Sequence, residues 1–183
     1  MANPVLDLLH ARFPGRSIAP DALDDAVVVE LIEAARLTPS CRNFQPWRFL
    51  FLRSDEGLGH GQAALAEGNA WACNAPLLVV ATARREDDCH SADGADYHRF
   101  DVGMAVMNLM LAATANGLAA RPMAGFDPGV IRDRFGLEPD VEPMVMIAVG
   151  RPSTDDSQLP EHHRGGHLRP RTRKAPAEIV TVV

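Results

Sequence analysis

The most informative stretch of the sequence is PSCRNFQPWRF, at residues 39–49. Pro39 ends a predicted helix, and the apolar composition of residues 48–53 predicts a strand. Between them lies a loop whose amide and hydroxyl side chains can bind a heteroaromatic ring. These side chains belong to Ser40, Asn43 and Gln45. On composition alone, an ordinary helix-to-strand connection with Trp47 in the core is the simpler interpretation.

Helices alternate with short strands on both sides of this loop. Apolar spacing and the positions of Pro and Gly predict helices over residues 4–11, 22–37, 61–68, 97–116 and 128–136. Apolar runs predict strands over residues 48–53, 76–83, 118–123 and 145–149, and residues 179–183 are β-branched and extended. We therefore expect residues 1–183 to form a single α+β domain with three layers, α/β/α.

The composition disfavours several classes of protein. The net charge of −6 disfavours a globally basic nucleic-acid-binding protein, and 46% apolar residues are too many for a disordered chain. The first ten residues lack the Lys or Arg of a secretory signal. Gly, Asn and Thr interrupt the apolar stretch at residues 102–120, so we expect a buried helix there and not a membrane span. We expect a cytoplasmic protein with no nucleic-acid and no membrane partner.

Common metal, disulfide and catalytic motifs are absent from the sequence. The three cysteines are Cys41, Cys73 and Cys89. Because they are odd in number, widely spaced and without a CxxC pair, we expect reduced thiols. His163 and His167 have the spacing of two ligands on a helix, but the glycines between them disfavour a helix, and we expect no metal site. No dinucleotide loop, phosphate loop, zinc-protease or serine-hydrolase motif is present.

A locally basic segment contrasts with the acidic chain. Residues 161–176 contain one acidic residue and five basic ones, which are Arg164, Arg169, Arg171, Arg173 and Lys174. Arg12 and Arg16 form a second basic pair in a loop near the N-terminus. Guanidinium groups match phosphate geometry, so this pattern indicates a small phosphorylated ligand. A solvated basic tail is an equally good interpretation of the charge alone.

Taken in order, several segments resemble the FMN-dependent nitroreductase family over nearly the whole chain. In the first half they are Arg12-Phe13-Pro14-Gly15-Arg16, Ala34-Ala35 and Pro39-Ser40 with Asn43 and Gln45-Pro46-Trp47. In the second half they are Asp101 to Leu118, Pro122-Met123-Ala124-Gly125-Phe126-Asp127, Ala148 to Pro152, and Pro170-Arg171-Thr172-Arg173-Lys174. Each segment alone is weak evidence, whereas their order and spacing together are specific.

The resemblance implies a fold, an assembly and an activity. The fold is a central mixed, mainly antiparallel sheet flanked by helices, in a homodimer that holds FMN at the subunit interface. The activity is transfer of hydride from NAD(P)H through flavin N5 to nitroaromatic, quinone or similar small-molecule acceptors, with ping-pong kinetics. No catalytic side chain is expected, because the flavin supplies the chemistry. The segment at about residues 151–183 is expected to be extended and to wrap around the partner subunit.

The resemblance also implies the residues that bind FMN. The phosphate and the flavin N1/O2 side would be held by guanidinium groups of Arg12, Arg16, Arg171 and Arg173. Contacts from the partner subunit would come from Pro39, Ser40, Asn43 and Gln45. The loop along the flavin would comprise Pro122, Met123, Ala124 and Gly125, the last two with backbone N–H groups facing N5 and O4. Further contacts are assigned to Phe13, Pro14 and Asn69.

Departures from the family pattern leave other functions open. Pro14 replaces a family Ser and removes a hydroxyl and a backbone N–H, and Ala124 replaces a residue that is often acidic. The short segment before the long helix leaves substrate specificity undetermined. One alternative is a flavin-binding dimer without nicotinamide turnover, for storage or sensing. A second is a specialised flavin enzyme with a dedicated substrate, and the least favoured is nucleic-acid binding through the basic tail.

Overall fold

The computed structural model describes residues 3–90, 94–157, 159–166 and 171–183. Its α-helices are α1 (Pro4–Ala11), α2 (Asp25–Arg36), α3 (Asp55–Ala63), α4 (His98–Ala115) and α5 (Pro128–Phe135). Its strands are β1 (Trp47–Leu52), β2 (Leu77–Arg84), β3 (Ala119–Met123) and β4 (Val141–Gly150). The expected order of elements is confirmed, although α3 begins earlier than expected and β4 is longer. Residues 179–183 form no strand and are exposed.

The four strands form one sheet in the order β1-β2-β4-β3. Every pairing between neighbouring strands in the described part of the chain is antiparallel. The central strand β2 is apolar almost throughout because helices cover both faces of the sheet. β3 is an edge strand and therefore tolerates Pro122, which cannot donate a hydrogen bond to a ladder.

Two apolar clusters lie on opposite faces of the sheet and confirm the three-layer α+β architecture. Alternate residues of β2 belong to different clusters, as expected for a strand: Leu77 and Val79 to one, Leu78 and Val80 to the other. The first cluster is covered by α2 and α4. The second is covered by α5 and by the segment that contains Trp71.

Local sequence signals set the ends of α4 and α5. Asp127 Oδ1 accepts hydrogen bonds from the N–H groups of Gly129 and Val130, at 2.7 and 3.3 Å, and so caps the start of α5. Gly136 and Gly117, which follow α5 and α4, adopt left-handed backbone with φ of 59° and 68°. No helix in the described ranges is both long and apolar enough to cross a membrane.

Cys41 and Cys89 form a disulfide, so the expectation of reduced thiols is wrong for these two residues. Cys73 is free and exposed. The two cysteines are 48 residues apart in sequence. The pairing of β1 with β2 brings the loops that contain them together. Trp47 at the start of β1 lies opposite Ala83 near the end of β2, so the loop before β1 meets the loop after β2.

Candidate functional site

Three of the arginines predicted to bind phosphate lie together at the end of α1. The Arg171 guanidinium donates to the carbonyls of Leu9 at 2.7 Å, His10 at 3.1 Å and Arg12. These carbonyls lie at a helix C-terminus, where they have no partner within the helix. Partial burial, and then the positive charges of Arg171 and Arg173, lower the pKa of Arg12. The three side chains therefore concentrate positive charge at one place.

This arginine group has the chemistry of a phosphate site. Arg12, Arg171 and Arg173 take part in none of the ion pairs found among the described residues. Three guanidinium groups without an acidic partner repel one another, and a phosphate group would neutralise them. The residues present thus fit the phosphate of a nucleotide cofactor.

A cavity of about 530 Å³ opens beside the loop that follows Arg12. Its lining includes Phe13, Pro14 and Arg16, which were predicted to bind the cofactor. Other lining residues were not predicted, and among them are Arg121, His162 and His163. Ala19 N–H donates to the Arg151 carbonyl at 2.9 Å, and Ser153 N–H donates to the Ser17 carbonyl at 3.0 Å. These bonds join residues 151–153, at the start of one wall of the cavity, to residues 17–19 of the same chain.

Arg121 is a half-buried cation that lines this cavity. Its Nη1 donates to the Pro14 carbonyl at 2.5 Å, and its guanidinium lies 5.8 Å from the centre of the Trp71 ring. Burial, and then the positive charge of Arg16, lower the pKa of Arg121 to about 10. No sequence signal identified this residue, because a lone arginine between apolar neighbours has no recognisable pattern.

Asn69 and Gly125, both predicted to lie near the cofactor, are in contact with each other. Asn69 Nδ2 donates to the Gly125 carbonyl at 2.9 Å, and Ala66 N–H donates to the same carbonyl at 3.1 Å. A Cβ atom at position 125 would lie 2.7 Å from Asn69 Nδ2, so any other residue here would displace the Asn69 side chain from this hydrogen bond. The Met123 side chain is buried in the core, whereas Pro122 and Ala124 are exposed.

The loop at residues 40–45 is held in an uncommon backbone conformation. Three residues without the freedom of glycine have positive φ: Arg42 at 47°, Asn43 at 61° and Gln45 at 51°. Ser40 Oγ accepts a hydrogen bond from the Gln45 N–H at 2.9 Å, and Gln45 Nε2 donates to the Asn43 carbonyl at 3.1 Å. Left-handed backbone at such residues persists only where the surroundings enforce it.

Two carboxylates near this loop were not predicted to have a role: Asp101 bonds to the loop itself, and Asp88 bonds to Cys89 and to the start of α4. Cys41 N–H donates to Asp101 Oδ2 at 3.1 Å. Asp88 Oδ1 accepts from the Cys89 N–H at 2.6 Å, and its Oδ2 accepts from the N–H groups of Tyr97 at 2.7 Å and His98 at 3.0 Å. Burial alone would raise the pKa of Asp88, but these hydrogen bonds outweigh burial and lower it. Burial raises the pKa of Asp101.

One cluster near this loop has the residue types of a metal site. Ligand atoms of Asp88, Asp96 and His98 lie within 4.8 Å of one another. Asp88 Oδ2 already accepts two backbone N–H bonds and contacts His98 Nδ1 at 3.0 Å. Asp96 Oδ1 pairs with Arg85 Nε at 3.0 Å. The cluster is therefore explained by bonds that fix the start of α4.

The loop at residues 40–45 and the cavity lie at opposite ends of the sheet. The loop leads into Trp47, which pairs through Ala83 with Glu142 near the start of β4. Arg121 pairs with Ala148, six residues further along β4. A strand advances about 3.3 Å per residue, so the two places are about 20 Å apart along the sheet. One chain therefore does not bring all the predicted residues together.

A family model described as "Nitroreductase family" matches residues 58–151. The chain belongs to the nitroreductase family. A putative NADH dehydrogenase/NAD(P)H nitroreductase of Streptomyces coelicolor is 30% identical, over 75% of this chain and 77% of that protein. A 5,6-dimethylbenzimidazole synthase of Rhodobacter capsulatus is 28% identical over 90% of each chain.

Solved structures agree with this assignment to the nitroreductase family. An oxidoreductase described as containing FMN superposes with a TM-score of 0.84 and 26% identity, over 99% of this chain and 91% of that one. A putative nitroreductase of Exiguobacterium sibiricum, in complex with FMN, has the same fold, with a TM-score of 0.81 and 21% identity over 100% and 99% of the two chains. The resemblance seen in the sequence is confirmed.

For this member of the nitroreductase family, the predicted residues fall into separate groups. The arginines at positions 12, 171 and 173 lie together, the cavity contains Arg16, and Asn69 contacts Gly125. The loop with Ser40, Asn43 and Gln45 lies at the other end of the sheet from the cavity. His167, Arg169 and Pro170 lie outside the described residues.

Proposed function

We propose that the chain is an FMN-dependent oxidoreductase that uses NAD(P)H to reduce nitroaromatic, quinone or similar acceptors. The observation that supports this most is the group of Arg12, Arg171 and Arg173, together with a cavity of about 530 Å³ lined by the loop that follows Arg12. Membership of an oxidoreductase family and the FMN named for two structural neighbours support the cofactor. The names of relatives support NAD(P)H as the electron donor.

The chain's own residues would bind and orient the cofactor. The three grouped arginines would hold the phosphate, and Arg16 would place positive charge beside the flavin ring. Asn69 would fix the loop at Ala124 and Gly125, whose N–H groups would face the ring. When bound, FMN supplies the hydride-transfer chemistry, so the protein needs no acid–base side chain of its own.

A homodimer would bring the separated residues together. In a two-fold assembly, the loop at residues 40–45 of one copy can meet the cavity of the other, because both copies use the same surfaces reciprocally. Exposed apolar side chains on α1, α2 and α4 offer surface for such an interface. They are Val5, Leu6, Val29, Ile32 and Phe100. The exposed segment at residues 171–183 would wrap around the partner.

The proposal also includes the domain organisation and the cellular location of the protein. We take residues 1–183 to form one domain, in which Leu159 packs in the second apolar cluster of its own chain. We place the protein in the cytoplasm, where NAD(P)H is available as donor.

A specialised flavin enzyme is the second candidate function. The similarity to 5,6-dimethylbenzimidazole synthase extends over 90% of each chain, which is more than for the nitroreductase relative. A member with a dedicated substrate would reduce simple nitro compounds slowly. A flavin-binding dimer that does not react with nicotinamides is the remaining alternative.

A visible absorption spectrum of the purified protein tests the proposal. We expect a flavin spectrum that bleaches when NADH or NADPH is added without oxygen. A flavin spectrum that persists would favour the specialised or binding functions. No flavin, even after incubation with FMN, would contradict the proposal, and Pro14 would be the first position to examine.

A further inference from the structure

We propose that Arg121, together with Arg16, binds an oxyanion group, phosphate or carboxylate, inside the cavity. Arg121 is not among the residues that the family resemblance implies for the cofactor. The inference deepens the proposed function by naming the class of ligand, and it rests on that function only for the reaction that follows binding.

The guanidinium group of Arg121 has N–H donors that are not used in hydrogen bonds to the described residues. A guanidinium group has five N–H donors. Within the described ranges, the side chain of Arg121 makes one hydrogen bond, to the Pro14 carbonyl. The indole N–H of Trp71, whose ring lies under Arg121, is buried and also has no hydrogen-bond partner there. Arg121 is only partly buried and lines the cavity, so its remaining N–H groups can reach a ligand there, and a buried donor without an acceptor, such as the Trp71 N–H, is uncommon in folded proteins.

The charges in the cavity favour an anion. Arg16 and Arg121 line the same cavity, and each opposes the burial of the other's charge. Arg121 takes part in none of the ion pairs of the described chain. Asp156 also lines the cavity and its Oδ2 accepts the Gly165 N–H at 2.6 Å, but its single negative charge does not balance two guanidinium groups. An incoming phosphate or carboxylate would therefore be the counter-ion that Arg121 lacks.

Pro14 explains why this chain needs an additional guanidinium. Proline at this position provides neither a hydroxyl nor an N–H to an anion. Because Arg121 is bonded to the Pro14 carbonyl, its remaining N–H groups lie at the same turn of the loop. Arg121 thus provides donors at the place where the loop itself has lost them.

Binding of inorganic phosphate and of benzoate to flavin-free protein tests the subsite directly. We compare the parent protein, Arg121→Met, Arg121→Lys and the control Arg134→Met, which changes an exposed arginine of α5. Losing charged hydrogen bonds to the anion predicts an affinity about tenfold lower for Arg121→Met and an unchanged affinity for Arg134→Met. Arg121→Lys keeps the charge, so it reports on the subsite even if Arg121→Met does not fold, and we expect a smaller loss.

Two further comparisons identify the source of the anion. If the phosphate of FMN occupies the subsite, Arg121→Met lowers affinity for FMN about tenfold and leaves affinity for riboflavin unchanged. If an acidic acceptor occupies it, Arg121→Met keeps FMN and lowers kcat/KM for 4-nitrobenzoate about tenfold, but not for nitrobenzene. Equal effects on charged and neutral ligands, or unchanged anion binding in both Arg121 variants, would overturn the inference. Phosphate binding that depends on Arg121 in a protein that takes up no flavin would support the subsite and contradict only the proposed function.

Discussion

The disulfide between Cys41 and Cys89 joins the loop that precedes β1 to the loop that precedes α4. Cys41 lies between Ser40 and Asn43, two of the residues proposed to reach the partner's flavin. The covalent bond and the hydrogen bond from Cys41 to Asp101 hold this loop from two directions. The strained conformation of the loop thus depends on a bond that a cellular dithiol can break.

Removing this disulfide should destabilise the protein and loosen FMN. The bridge closes a loop of 48 residues, which predicts a loss of about 4 kcal/mol in the free energy of unfolding for Cys41→Ser/Cys89→Ser. Denaturant unfolding of that variant and of the Cys73→Ser control measures the difference. Titration of the native oxidised protein should detect one thiol before reduction and three after it. Three thiols without reduction would show that the bond does not form.

The phosphate assignment predicts unequal effects of single arginine and lysine changes. Arg12→Ala and Arg171→Ala should each weaken FMN binding by about 1.5–3 kcal/mol, because each removes a charged hydrogen bond. Asn43→Ala should weaken binding less, and Lys174→Ala should have little effect. Fluorescence titration with FMN measures all four affinities. Unchanged affinity in both arginine variants would remove the basis for this assignment.

Asp88 should make stability depend on acid pH. Its folded-state pKa is lowered, so the unfolded chain binds the proton more tightly and protonation favours unfolding. The stabilisation is therefore present above the ordinary pKa of 3.8 and is lost as pH falls through the folded-state value. Asp88→Asn should cost about 1.5–3 kcal/mol at pH 7, by loss of charged hydrogen bonds. Unfolding curves at pH 7 and at acid pH should show that the cost shrinks in acid.

Asp101 should have the opposite pH dependence. Its folded-state pKa is raised by burial, so the folded chain binds the proton more tightly, and stability falls as pH rises from 3.8 through the folded-state value. Asp101→Asn keeps an acceptor for the Cys41 N–H without a buried charge, and we expect it to be at least as stable as the parent at pH 7. Asp101→Ala leaves that N–H unpaired and should cost about 1–3 kcal/mol. A lower melting temperature for Asp101→Asn than for Asp101→Ala would contradict this account.

Gly125→Ala should destabilise the loop at residues 122–126. The new methyl group would lie 2.7 Å from Asn69 Nδ2, so the Asn69 bond to the Gly125 carbonyl must break or shift. Overpacking of this kind costs about 1–3 kcal/mol. Gly59→Ala in α3 is the matched control, since nothing lies within 4 Å of its Cβ, and it should raise stability by about 0.5–1 kcal/mol. Equal melting temperatures for the two variants would argue against the contact.

The sequence predicts features that depend on neighbouring residues better than those that depend on strand pairing. Asp127 and Pro128 mark the start of α5 in the sequence, and Gly117 marks the end of α4, because caps act within one turn. Local charge marked the arginines at positions 12 and 171 as members of two basic segments, but only the family motif places the two segments together. Cys89 and Asp88 could not be linked to Cys41, since β1 and β2 must pair before those loops meet.

Arg121, within the candidate site, is another residue whose position depends on strand pairing and not on its neighbours in sequence. A strand of alternating exposure does not reveal which face an isolated cation occupies until its partner strand is known. The pairing of Arg121 with Ala148 puts that side chain among the residues that line the cavity. The departure at Pro14 was visible in the sequence, but its hydrogen bond with Arg121 was not.

The edge strand β3 also bears on how the protein avoids aggregation. An open sheet edge next to a binding cavity invites another polypeptide to add as a further strand, which leads to fibres. β3 is only five residues long, contains Pro122 and has the inward-facing charge of Arg121. Each of these features discourages strand addition. The edge can therefore remain accessible to a small ligand while it resists self-association of the chain during folding and at high concentration.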